Sequence, residues 1–505
     1  MSTVNIKNLC LLTTLVLPIF IVNANSQEVP EVKSEIVTSE HTIRLANGKV
    51  DYKVIAGNTV LKDEEDKPEA SIFSTYYSRT DIKNAHQRPI LFIFNGGPGS
   101  SSVWLHLGVF GPKIVEIPSD AQAVPAAPYT IKDNPLSLLD IADMVFIDPV
   151  GTGYSKPMGD YEGKDFWGVN QDAKIMAKFV RHFITINQRW NSPKYLAGES
   201  YGTTRAALMV KELQEGWGSI DLNGVFLISS IVDFQAGDFN PGNDLPFITF
   251  LPTYAATAWY HDALPNKNKY KDLPSFLDEV RQFAMTDYAS ALILGQNITT
   301  EKFTQAVAKL HEFTGLSETY LQQTNLRIDE MLFMKELLRD RGQSVGRLDS
   351  RYLGVDASNV EARFDADPSG YAIDGAYTAA IQSYMASELN LVREEKYNIL
   401  SGKVFSSWDW LYAGSARSQG FLNTGQFLST AQRQNPSFRI FIANGYYDLA
   451  TPFFASEYSF SRNGFDQSRI EMKYYEAGHM MYIHHPSLQK LANDMRNFLL
   501  AYKQD

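Results

Sequence analysis

Apolar positions recur along this chain in two rhythms. Short β-rich runs fall near residues 71–79, 89–94, 144–147, 194–197, 224–228, 439–443 and 470–475. Between two of these runs, residues 165–190 place Phe166, Val169, Ala173, Met176, Ala177, Val180, Phe183 and Ile184 at helical spacing. Strands alternating with helices predict an α/β fold with a largely parallel central sheet and helices on both faces.

Between about 234 and 400 the rhythm changes. Helical patterns at 274–294, 301–314 and 328–340 dominate, and no buried strand pattern stands among them. This predicts a helical insertion, 234–400, into a core made of 41–233 and 401–505. An insertion rising from the top of an open α/β sheet lies over the carboxyl ends of the strands, where ligands bind. It is expected to act as a cap.

The first residues form a unit of their own. Lys7 precedes an apolar run over residues 9–22 that ends at Val22-Asn23-Ala24, the pattern of a cleaved secretory signal over 1–24. An uncleaved anchor is the alternative; after cleavage no membrane insertion is expected. Residues 25–40 are polar and expected to be mobile. The single cysteine, Cys10, lies within the signal, so the mature chain would form no disulfide. It sits at the start of the apolar run, whereas a lipoprotein cysteine follows it. A large exported chain without disulfides suits a bacterial periplasmic or secreted enzyme. The formal net charge of −11 argues against a nucleic-acid partner.

Candidate chemistry begins with "FNGGPGSSS" at 94–102. A glycine-rich loop after a strand suggests a phosphate cradle, but the Gly-Lys-Ser/Thr ending and the G-x-G-x-x-G spacing are both missing. A second motif, Gly198-Glu199-Ser200-Tyr201-Gly202, stands between a predicted strand and a predicted helix. That is a nucleophile elbow with Ser200 as nucleophile. A serine hydroxyl needs a histidine base and an orienting carboxylate, which in this arrangement follow in the order Ser, Asp, His. Asp448 and His479 both occupy loops after strands and satisfy that order. Among rivals, His106 lies near the glycine loop, His484 and His485 open the last helix, and Asp148 precedes Ser200 in the chain. No metal-ligand spacing is present, and such a triad needs neither metal nor cofactor.

Five stretches, "FNGGPGSSS", "NPLSLLDIADMVFIDPVGTGYS", "AGESYG", "NGYYDLATP" and "AGHMMY", stand in the order of the serine carboxypeptidase family, peptidase family S10, and together closely resemble it. The resemblance implies an α/β-hydrolase fold with a helical cap, and hydrolysis of the C-terminal peptide bond through an acyl-enzyme on Ser200. It implies an oxyanion hole from the backbone N–H groups of Gly97 and Tyr201. It also implies that Asn95, Gly96 and Glu199 hold the terminal carboxylate of peptides with a free C-terminus. A protonated Glu199 could donate to that carboxylate, and burial would raise its pKa; His479 must meanwhile be neutral to act as a base. Acyltransferases and esterases share the first half-reaction, and an inactive binding module is a remoter alternative. The chain departs from many family members at Val109, where they carry a glutamate that pairs with the Glu199 position, and at Ser100, where they carry a disulfide cysteine. Without that glutamate an acid optimum has less support.

Overall fold

The structure, a computed structural model, describes residues 36–501 except 217, 413–419 and 463. The expected signal and residues 25–35 lie outside the described residues. Residues 36–40, expected to be mobile, are instead the first half of a strand. The ladder that pairs Ile36 with Gly57 and Glu40 with Lys53 holds this stretch through backbone bonds, and Val37 adds a contact to the core.

Ten strands form one sheet. In chain order they are β1 (Ile36–Leu45), β2 (Gly48–Lys62), β3 (Pro68–Arg79), β4 (Ile90–Phe94), β5 (Asp143–Ile147), the short β6 (Lys156–Pro157), β7 (Lys194–Ser200), β8 (Gly224–Ser230), β9 (Arg439–Gly445) and β10 (Ile470–Tyr475). The spatial order is β1-β2-β3-β5-β4-β7-β8-β9-β10, with β6 beside β3. From β5 to β10 every pairing is parallel. The first three strands are antiparallel to one another, and β3 is antiparallel to β5.

The parallel strands are buried on both faces, and their alternate residues enter two separate cores. Leu91 and Ile93 of β4, Phe226 and Ile228 of β8, and Phe441 and Ala443 of β9 join one cluster. Ile90, Phe92 and Phe94, Val225 and Leu227, and Ile440 and Ile442 join the other. Helices α1 (Val169–Ile186) and α2 (Tyr201–Gln214) cover the second face through Met176, Phe179, Val180 and Leu208. The first face is covered by α3 (Asp374–Ser387) and α4 (His485–Ala501), through Tyr377, Ile381, Leu491 and Phe498. Continuous apolar runs in the strands and one apolar stripe per helix are what this three-layer packing requires.

Within 234–400, the helices from Leu245–Tyr260 to Glu330–Glu336 bury a third core of their own, built around Phe250, Tyr254, Phe276, Leu310 and Phe333. Local signals set their ends. The Asp272 side chain accepts from Ser275 N to start Leu273–Phe283, and Gly315, with φ 72°, closes Thr300–Thr314. The helix α3, though within the same stretch of sequence, packs on the face of the sheet. Tyr447, Leu449 and Phe453, from the loop after β9, join the third core and fasten it beside the strands' carboxyl ends. Among the described residues, no helix is long and apolar enough to cross a membrane.

Candidate active site

Four strands deliver the predicted residues at their carboxyl ends: β4 leads into Asn95, β7 ends at Ser200, β9 leads to Asp448 and β10 to His479. Ser200 adopts φ 60° and ψ −130° between β7 and α2. A side chain rarely tolerates that conformation, which turns the hydroxyl out of the sheet. The turn closes so tightly that a Cβ on Gly198 would lie 2.2 Å from Gly202 O, and one on Gly202 would lie 3.0 Å from Phe94 O. Gly198 is therefore required by contact, and Gly202 leaves little slack against the backbone after β4.

The glycine loop rests on this elbow. A Cβ on Gly96 would lie 2.5 Å from Tyr201 N. Tyr201 opens α2, so its amide has no partner within the helix. The loop is held from behind by the returning chain, with Ser401 N donating to Gly99 O at 2.8 Å and Ser101 N donating to Ile399 O at 2.9 Å. Ser100, which stands where many relatives have a disulfide cysteine, forms a β-bridge with Leu400.

Asp448 and His479, the expected acid and base, meet. His479 Nδ1 and Asp448 Oδ2 are 2.8 Å apart, which leaves Nε2 free for a hydroxyl. Asp448 is fully buried; its Oδ1 accepts from Ala450 N and Thr451 N at 2.8 and 2.9 Å, and its Oδ2 accepts from Thr451 Oγ1 at 2.7 Å. Burial alone would push the His479 pKa down. The charge and hydrogen bond of Asp448, with the charge of Glu199, outweigh it and raise the pKa above the ordinary value.

Beside the elbow, Asn95 and Glu199 form a buried polar pair. Leu105 N donates to Asn95 Oδ1 at 3.1 Å, which orients the side-chain amide so that Nδ2 donates to Glu199 Oε2 at 2.5 Å. Arg205 of α2, itself paired with Asp172, donates to Asn95 O at 2.5 Å and fixes its backbone. Burial raises the Glu199 carboxyl from its usual 4.5 to about 7, against the opposing pull of His479 and of its two hydrogen-bond donors. Val109 is an apolar core residue here, so the shift comes from burial with a lesser contribution from the charge of Asp448, and from no carboxylate at position 109.

A cleft of about 1110 Å³ opens over these groups. Asn95, Gly96, Gly97, Glu199, Ser200, Tyr201 and His479 all line it, while Asp448 lies behind His479. The rivals stand elsewhere. His106 is buried against Phe146, its ring nitrogen 2.6 Å from Tyr77 Oη, and burial lowers its pKa to about 3. Asp148 is buried and accepts from Ser102 N at 2.9 Å, and His484 pairs with Asp120. His485 opens α4 and bonds Ser119 through its backbone.

Three contributors were not singled out from the sequence. Tyr482 donates to Glu199 Oε2 at 2.9 Å, and its ring fills the space that a Gly108 side chain would occupy. It lies in "AGHMMY", so its nearness to His479 was the available signal. Thr451 braces the acid. Residues 347–351 of the insertion hold the loops that carry Asp448 and His479: His479 N donates to Leu348 O at 2.6 Å, Leu449 N to Arg347 O at 3.0 Å and Gly478 N to Asp349 Oδ2 at 3.1 Å. These contacts cross more than a hundred residues of chain and leave no local pattern.

This sheet order, with a serine elbow at the end of β7 and helical insertions above, defines an α/β-hydrolase. The family model for serine carboxypeptidases matches residues 46–490, and the chain belongs to that family, peptidase family S10. Serine carboxypeptidase-like 13 of Arabidopsis thaliana is 27% identical over 194 residues, spanning 37% of this chain and 42% of that protein. Serine carboxypeptidase 1 of Hordeum vulgare is 27% identical over 144 residues, 28% of each chain. The chain thus matches less than half the length of either relative. Among solved structures, Kex1(Δ)p, a prohormone-processing carboxypeptidase from Saccharomyces cerevisiae, superposes with a TM-score of 0.53. Its identity is 16% over 90% of this chain and 91% of that one, a likeness of fold.

Proposed function

We propose that this protein is an exported serine carboxypeptidase that removes the C-terminal residue of peptides. The observation that carries this reading is the Asn95–Glu199 pair beside Ser200. A general esterase has no use for a buried carboxyl raised to about 7 in its cleft, whereas an exopeptidase must hold a terminal carboxylate at a fixed distance from the nucleophile. Protonated Glu199 donates to one carboxylate oxygen, and Asn95 and the Gly96 amide serve the other. Ser200 Oγ then attacks the last peptide carbonyl, and its proton passes to His479 Nε2. The amides of Gly97 and Tyr201 receive the oxyanion; losing one such donor costs about 100- to 1,000-fold in rate. The proton moves from His479 to the departing amine, and water clears the acyl-enzyme by the same route. Export is supported by the apolar run at 9–22 and by the lack of cysteine after Cys10.

The test is hydrolysis of N-blocked dipeptides, free or amidated at the C-terminus, across pH. Free acids should be cleaved and amides spared. Equal cleavage of both would remove the carboxylate clamp and leave a general hydrolase.

A further inference from the structure

Arg347 brings to the cleft a charge that acts on Glu330 and His479 across space and is held by no side-chain bond. It is half-buried and lines the same cavity as Asn95, Glu199, Ser200 and His479. Among the described residues its guanidinium makes no ion pair, hydrogen bond or ring contact. The backbone is fixed on both sides, since Arg347 N donates to Asp367 Oδ1 at 3.0 Å and Arg347 O accepts from Leu449 N at 3.0 Å. The next carbonyl, of Leu348, receives His479 N. The arginine is therefore anchored at the junction of the acid and base loops while its fork is left open. A partly desolvated guanidinium without a partner is costly, and its five donors match a carboxylate bidentately.

Its position indicates which part of a substrate it meets. His479 must protonate the departing amine, so the departing residue stands against His479 as the bond breaks. Arg347 is close enough for its charge to act on His479 and on Glu330, whereas the largest influences on Glu199 after burial are His479, Tyr482, Asn95 and Asp448. The arginine thus faces the side chain of the departing residue, with the α-carboxylate left to the clamp. Besides Glu199, four carboxyls line the same cleft, Asp238, Glu330, Asp367 and Asp374, of which Asp367 is taken up by the backbone N–H groups of Arg347 and Leu348 and by the Ser369 hydroxyl. Burial raises Asp238, Glu330 and Asp374 toward the neutral form, although the Arg347 charge pulls Glu330 the other way. None forms an ion pair with Arg347.

We propose that Arg347 selects an acidic residue, aspartate or glutamate, at the substrate's C-terminus by pairing its guanidinium with the side-chain carboxylate. This rests on the carboxypeptidase reading above. The test compares kcat/KM for N-blocked dipeptides ending in Glu, Gln or Lys. Glu should be preferred over Gln by about 10- to 100-fold, the worth of a charge-assisted hydrogen bond. Arg347→Gln should bring that ratio close to one, and Arg347→Lys should restore part of it. Equal rates in the unaltered protein, a preference for Lys, or a ratio that survives Arg347→Gln would each overturn the assignment while leaving the carboxypeptidase reading in place. Cleavage of none of the three would remove that reading and the assignment with it.

Discussion

Asn95 Nδ2 lies 2.5 Å from Glu199 Oε2, so the residue after β4 and the residue before the nucleophile act as one polar unit. Its donors favour the charged carboxylate, yet burial wins and holds the carboxyl at about 7. The protonated form that can receive a substrate carboxylate is present below 7 and lost above it. KM for free-acid peptides should therefore rise as pH passes about 7, while kcat falls on the acid side as His479 gains its proton. Glu199→Gln should flatten the alkaline rise in KM, measured from about pH 5 to 9. It should also move the acid limb down, because the charge that raises His479 is gone. An unchanged alkaline limb in Glu199→Gln would assign that titration to another group.

The same carboxyl predicts a pH-dependent stability. A group raised from 4.5 to about 7 on folding contributes stability that is fully present below 4.5 and is lost as pH rises through 7. At about 1.4 kcal/mol per pH unit the gap is worth about 3 kcal/mol. Glu199→Gln should unfold at the same urea concentration as the unaltered protein near pH 4 and be more stable by up to about 3 kcal/mol near pH 8. No gain at pH 8 would show that Glu199 pays no burial penalty.

Tyr482→Phe keeps the ring that packs on Gly108 and removes the hydroxyl donated to Glu199. That hydroxyl favours the charged form, so its loss should raise the carboxyl further and shift the alkaline limb of kcat/KM to higher pH. The shift is the diagnostic readout. A uniform loss of activity at every pH would instead make Tyr482 a packing residue.

Gly478→Ala tests the support behind the base. The added Cβ would lie 2.4 Å from Leu348 O and 2.4 Å from Asp349 Cβ, both on the insertion. His479 must move to relieve this, and a displacement of about 1 Å at such a site costs on the order of 100-fold in kcat. Circular dichroism should show the fold retained. Full activity in Gly478→Ala would mean that the insertion does not set the position of His479.

Much of this was legible because it is written locally. Seven β-rich runs became β3 to β5 and β7 to β10, and Gly198-Glu199-Ser200-Tyr201-Gly202 fell at a strand-to-helix turn. The order Ser200, Asp448, His479 then followed from post-strand loops. What stayed hidden was set by distant chain. Tyr482 reads as an apolar core residue until Glu199, 283 positions away, is seen beside it. Residues 36–40 offer only Ile36 and Val37 ahead of Thr38, Ser39 and Glu40, too little alternation to mark a strand, and the ladder with β2 is what orders them. The third core closes on Tyr447, Leu449 and Phe453 from the far end of the chain, a contact that no helical period announces.

The Leu348 carbonyl that receives His479 N belongs to the insertion, and so does the Asp349 carboxylate that receives Gly478 N. An engineer who exchanged this insertion for one from another hydrolase, hoping to import its selectivity, would also remove the struts of His479. A transplant that carries residues 346–351 intact across the junction keeps those struts. One that omits them trades selectivity against turnover in a single cut.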